Sequence, residues 1–196
     1  MRLRTSIVGL VCAVAVGAAR VLFASTPVDV PVRVTLGGAP VPNAVVWFEV
    51  PGAPRSARTV TLDQRNLAFE PDLLVVPVGS TVEFPNNDRV LHNVFSFKDG
   101  KPFDLGLYPV GQTRRVVFDR PGVSRLFCNI HPGMTAYIVV VDSAYSGVSD
   151  RDGRLVLRGV PAGSGSLRAW RPGADVLSST TTVAAGLPLE IRWPVP

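Results

Sequence analysis

The stretch Cys128-Asn129-Ile130-His131-Pro132-Gly133-Met134 places a thiol, an imidazole and a thioether within seven residues. A second imidazole, His92, lies thirty-six positions before the cysteine, in Asn86-Asn87-Asp88-Arg89-Val90-Leu91-His92-Asn93-Val94. A thiolate and two imidazoles in a trigonal plane, with a weak, long axial thioether, form the ligand set of a mononuclear blue-copper electron-transfer site. Cys-x2-His-x2-Met is a tight loop that closes over one ion, and His92 supplies a ligand from a distant strand. Sulfur steadies the reduced ion and imidazole serves both oxidation states. The expectation is one type 1 copper per chain, held by His92, Cys128, His131 and Met134, with no catalytic residue.

Composition sharpens this reading. The chain has two cysteines, two methionines and two histidines. With Met1 and Cys12 assigned to a leader, every remaining one falls in the constellation. Two mundane readings compete. Cys128 and Met134 could be ordinary core residues, since both pack as adaptable hydrophobes. Zinc could take the histidines and the cysteine, but it prefers sets without a thioether. An enzyme is disfavoured: a hydrolase needs a nucleophile with a base, and both histidines are already spent on metal. Copper oxidases and nitrite reductases need further histidines for additional copper centres.

The chain opens with the pattern of a targeting signal. Arg2 and Arg4 form a basic start, Ile7 to Val16 an apolar run, and Gly17-Ala18-Ala19 a small-residue cleavage site. Residues 1–19 are therefore expected to be removed, leaving a periplasmic or otherwise exported chain with no membrane span. Retention as an N-terminal anchor is the alternative. An exported chain with one remaining cysteine cannot form an internal disulfide, and a metal would protect that thiol. The net charge of +5 comes from the leader and the two ends, because residues 59–142 hold eight basic and nine acidic residues. No basic stripe interleaved with aromatics exists, so nucleic acid is not an expected partner.

The rest of the chain reads as all-β. Val and Thr recur in short runs, broken about every ten residues by turn signals such as Gly37-Gly38, Asp99-Gly100, Arg120-Pro121-Gly122 and Asp152-Gly153. Only residues 104–112 leave room for a short helical turn. Phe69, Phe84, Phe95, Phe118 and Phe127 are expected in the core.

Several motifs carry a resemblance to the cupredoxins, or blue copper proteins. Phe69-Glu70-Pro71 and Val75-x3-Gly79-Ser80-Thr81-Val82-Glu83-Phe84-x-Asn86-Asn87-Asp88 are similar to the strand, glycine turn and strand that lead to the first copper histidine. His92-Asn93-Val94 and Gly122-Val123-x2-Leu126-Phe127-Cys128 continue the match. The short ligand loop resembles amicyanin, and residues 66–141 resemble the cupredoxins labelled "methylamine utilisation". Leu91 departs from the proline that plastocyanin and amicyanin carry there. The resemblance implies a Greek-key β-sandwich over residues 59–142, and a hydrogen bond from Asn93 to the backbone beside Cys128. Asn129 is expected to direct its backbone amide toward the Cys128 sulfur, and Pro132 to stiffen the loop.

The two ends resemble a different family. Gly38-Ala39-Pro40-Val41 with Ala44-Val45-Val46, and then Ser149-Asp150-Arg151-Asp152-Gly153-Arg154-Leu155-Val156-Leu157 through Val160-Pro161-Ala162-Gly163, look like halves of a carboxypeptidase-regulatory-like (Cna-B or transthyretin-type) sandwich. The cupredoxin is accordingly expected to be inserted in, or joined to, this second small sandwich. Residues 20–58 would form its first hairpin and residues 143–196 the remainder, since insertion at a loop with close ends costs little. Three functions remain open: a one-electron carrier between a redox protein donor and acceptor, a copper storage or delivery protein, and an envelope binding module with a structural copper.

Overall fold

The computed structural model describes residues 26–53, 55–97 and 100–195. The leader expected at residues 1–19 lies outside them, Cys12 included. Every regular element among the described residues is a strand, so the fold is all-β.

Three strands precede the metal-ligand segment: β1 (Pro27–Leu36), β2 (Ala39–Pro40) and β3 (Val45–Glu49). The segment itself begins with β4 (Thr59–Thr61), β5 (Asp63–Arg65), β6 (Ala68–Glu70), β7 (Leu73–Pro77) and β8 (Ser80–Pro85). It continues through β9 (His92–Ser96), β10 (Phe103–Tyr108), β11 (Thr113–Phe118), β12 (Gly122–Phe127) and β13 (Thr135–Val141). Last come β14 (Tyr145–Val148), β15 (Arg154–Pro161), β16 (Gly163–Trp170), β17 (Leu177–Val183) and β18 (Leu189–Trp193).

The middle strands make one sheet in the order β10-β9-β12-β13-β7, another in the order β11-β8-β4, and the β5-β6 hairpin. Strict alternation on β8, whose Val82 and Phe84 are wholly buried, lays one face of each sheet on a shared core. Phe118, Leu126 and Ile138 complete it, each worth roughly 1.5–3 kcal/mol of burial. Residues 104–112 hold no helical turn. Phe103 to Tyr108 is the edge strand β10, and the residues after it turn into β11. A shift in pairing with β9 between Asp104 and Leu107 breaks the alternation that marks a strand.

Strands from the two ends of the chain pair with each other. β1 lies between β15 and β18, and β3 lies between β14 and β16, with β17 beyond. Val34 and Phe48 meet Leu157 and Val160 in a core separate from the first. Gly153 sits where the turn before β15 touches β1. Its φ is +70°, Val34 N donates to its carbonyl at 2.7 Å, and any Cβ there would strike the Val34 carbonyl oxygen.

Trp47 and Trp170, expected in or beside that second core, lie beside it. They point from the opposite face of their sheet and pack, with Val45, on Leu73, Val75, Val139 and Val141 of the middle segment. The unbroken apolar run Val45-Val46-Trp47-Phe48 explains this, because a strand covered on both faces loses its alternation. Of the five phenylalanines expected in the core, Phe69, Phe84 and Phe118 are buried there. Phe95 and Phe127 are half-buried on the outer face of their sheet and stand 5.6 Å apart, with Phe97 5.4 Å from Phe127.

Candidate metal centre

His92 opens β9, and Cys128 follows the last residue of β12. The loop from Cys128 to Met134 joins β12 to β13, whose Phe127–Thr135 pair closes it. Two backbone hydrogen bonds fix the loop: Met134 N to the His131 carbonyl at 3.1 Å, and Cys128 N to the Met134 carbonyl at 3.3 Å. The structure thereby brings a distant histidine to a local hairpin loop.

Cys128 Sγ lies 3.8 Å from His92 Nδ1 and 3.6 Å from His131 Nδ1, and the two Nδ1 atoms are 3.0 Å apart. A trigonal ion at ordinary metal–nitrogen and metal–sulfur bond lengths would separate such atoms by about 3.5–3.8 Å. Two sulfur–nitrogen distances meet that span and the nitrogen–nitrogen distance falls somewhat short, so the donor set fits a single ion. Met134 is buried in the same cluster as Cys128, only 3% exposed. His92 is wholly buried, whereas His131 is half-buried. Exposed Leu91 adjoins His92 in sequence, and exposed Ile130 and Pro132 adjoin His131.

The tautomer of His92 is set from behind. Its Nε2 lies 2.9 Å from Asp88 Oδ2, and a carboxylate can only accept, so Nε2 carries the proton and Nδ1 keeps its lone pair. Asp88 is itself tied down. It accepts from Leu67 N at 2.7 Å and from Arg89 N at 2.7 Å. The Leu67 amide is aimed by a tight turn in which Asn66 and Leu67 both have positive φ, unusual for leucine. These bonds, the Leu67 amide foremost and then His92, hold the Asp88 carboxyl well below the usual range, at about 2, against the opposing effect of burial.

Sequence reading missed this acid, because Asn86-Asn87-Asp88 reads as a generic polar loop. The signal was its position four residues before His92. Carboxylates behind metal-bound histidines typically govern affinity by ten- to a hundredfold. Asp88→Ala is therefore expected to weaken copper binding by about that factor, as checked by competition with a chelator. A depressed carboxylate favours the fold above the normal carboxylate range, and that contribution fades as pH falls through about 2.

Tyr108 and Gln64 are buried and hydrogen-bonded to each other beside the strand that carries His92, and neither was anticipated. Tyr108 stands opposite His92 on β10, donates to the Phe84 carbonyl at 3.0 Å and accepts from Gln64 Nε2. Burial pushes its hydroxyl up to about 12. Asn93 accepts from Asn129 N at 3.0 Å, linking the β9 segment to the backbone next to Cys128. That bond corrects the expectation for Asn129: its amide serves the Asn93 side chain and not the cysteine sulfur. Pro132 lies exposed between His131 and Gly133, the latter with φ +93°.

Residues 57–141 match the family model of copper binding proteins, plastocyanin/azurin family. Among solved structures, the chain is similar to a Cu-containing nitrite reductase from Thermus scotoductus SA-01, at 28% identity over 48% of this chain and 25% of that one, with a TM-score of 0.41. The chain thus spans about a quarter of that protein's length. A purple cupredoxin from Nitrosopumilus maritimus is 28% identical over 44% of this chain and 100% of its own, with a TM-score of 0.38. An amicyanin from Paracoccus versutus is 24% identical over 46% of this chain and 86% of its own, with a TM-score of 0.39. No helix among the described residues is long and apolar enough to cross a membrane.

Proposed function

We propose, from the match of residues 57–141 to the family model of copper binding proteins, plastocyanin/azurin family, that the chain is an exported one-electron carrier that shuttles between a redox protein donor and acceptor. The observation that carries the reading is the convergence of Cys128, His92 and His131, with Met134 buried in the same cluster. Copper bound there supplies a Cu(II)/Cu(I) couple. The chain's own residues do the rest. Cys128 would hold the ion through Sγ, and His92 and His131 through Nδ1. Met134 would add a weak sulfur donor that helps set the potential.

Rigidity supports a carrier over a storage or delivery protein. The Asp88 bond fixes the His92 ring, and the two loop bonds fix the Cys128–Met134 turn, so little needs to move between oxidation states. His131 would be the less buried of the two imidazole ligands, and exposed Ile130 and Pro132 on either side of it in sequence suit brief contact with another protein. The reading assigns no catalytic residue, since both histidines of the chain are in the one site.

Voltammetry of the copper-loaded protein tests it. Reversible one-electron cycling without metal loss is expected, and release of Cu(I) on reduction would favour storage or delivery instead. Met134→Leu should keep the blue band while raising the reduction potential, because a weak donor to the oxidised ion is lost. An unchanged potential would remove Met134 from the ligand set.

A further inference from the structure

Asn93 is only 1% exposed and follows His92 directly on β9. Its side-chain amide bridges two partners: Oδ1 accepts from Asn129 N at 3.0 Å, and Nδ2 donates to Asp104 Oδ1 at 2.8 Å. We propose that Asp104 is a positioning residue for the metal centre: its carboxylate fixes which way the Asn93 amide faces, and so holds the main chain beside Cys128 against the strand that carries His92.

The argument rests on what each partner can do. A backbone N–H only donates, and a carboxylate only accepts. The amide between them satisfies both in one orientation. Turned over, it would set two donors against each other at Asn129 and two acceptors at Asp104, and a buried side chain bears the full cost of bonds left unmade. Without the carboxylate, nothing at that end selects the orientation that serves Asn129.

Asp104 owes its aim to a fault in the β9–β10 pairing. Phe95 pairs with Asp104 but Asn93 pairs with Leu107, so β10 carries one extra residue over that interval. Such bulges turn a side chain out of its regular direction. Gly106 makes the bulge possible with φ +65°, and its amide donates to the same Asp104 oxygen at 2.9 Å. That oxygen is thus held from its own strand and presented to Asn93.

This deepens the copper reading and rests on it for its consequence at the metal, but the positioning itself can be measured without metal. In the metal-free full chain, Asp104→Ala should speed hydrogen exchange of the Asn129 amide by roughly ten- to a hundredfold, the loss expected for a bond to a charged acceptor. Asp104→Asn keeps an acceptor of the same shape and should restore most of the protection. In the copper-loaded protein, Asp104→Ala should keep the charge-transfer band but shift the reduction potential and the copper hyperfine splitting, with Asp104→Asn falling between. In the Asn93→Ala background, removal of Asp104 should add little to any of these readings.

A role confined to the bulge gives a different pattern: a lower melting temperature, an unchanged Asn129 amide, and effects that add to Asn93→Ala. That pattern overturns the proposal, as does full protection of Asn129 in Asp104→Ala. If copper fails to bind at His92, Cys128 and His131, the carrier reading falls while the Asn129 measurement still decides the role of Asp104.

Discussion

Cys128→Ser is expected to abolish the intense thiolate-to-Cu(II) absorption of the copper-loaded protein, which should otherwise bind one copper per chain. The band needs a sulfur donor in the plane of the two imidazoles. A serine hydroxyl is harder and stays protonated at neutral pH. Loss of colour should not come from loss of fold. Cys128 is 7% exposed and serine is close to it in size, so the metal-free variant should lose no more than ~1–3 kcal/mol of stability, the cost of burying a hydroxyl. Metal analysis and a visible spectrum, with a thermal melt of the metal-free protein, separate the two effects. A blue serine variant would remove Cys128 from the centre.

The second large effect concerns the two ends of the chain. A fragment of residues 143–196 should not fold, whereas one of residues 59–142 should fold and bind copper. β1 is the middle strand of one sheet and β3 an interior strand of the other. Without them, β15 and β18 lose the strand that joins them, β14 loses its sheet, and only the β16–β17 hairpin keeps its pairing. A lone hairpin is marginal in water. The 59–142 fragment retains its own core and all four proposed ligands. It also uncovers Leu73, Val75, Val139 and Val141, so it should melt below the full chain and tend to associate. Circular dichroism and sedimentation of both fragments check this, and a cooperative melt of 143–196 would contradict it.

The candidate ligands stood out in the sequence because their residue types are scarce: a thiol, two imidazoles and a thioether are conspicuous in a chain with so few of each. The strands were legible where one face is wet, as on β8. Burial on both faces hid the direction of Trp47, since an all-apolar run has no visible period. Asp88 and Asp104 were hidden for another reason. Acids in loops and edge strands are common, and their roles here depend on an amide aimed by the Asn66–Leu67 turn and on a bulge at Gly106. Neither local geometry is written in residue type alone. The helical turn expected at 104–112 failed at that same bulge, where one extra residue imitates a change of period.

The pairing of β1 with β15 also bears on the order in which the molecule assembles. Val32 meets Leu155, a partner 123 positions later in the chain. Contacts between such remote residues form slowly, because the intervening loop must be closed first. Folding of the middle strands shortens that search. β4 and β13, at the start and end of the middle segment, then lie in one body, and beyond them Arg55 pairs with Asp142 while Ser143 Oγ donates to the Phe48 carbonyl. Each halving of the effective loop recovers about 0.6 kcal/mol of closure entropy. The middle segment is thereby expected to act as a folding template for the sandwich around it, so mutations that delay its own closure should appear as slow pairing of β1 with β15, many residues from the change.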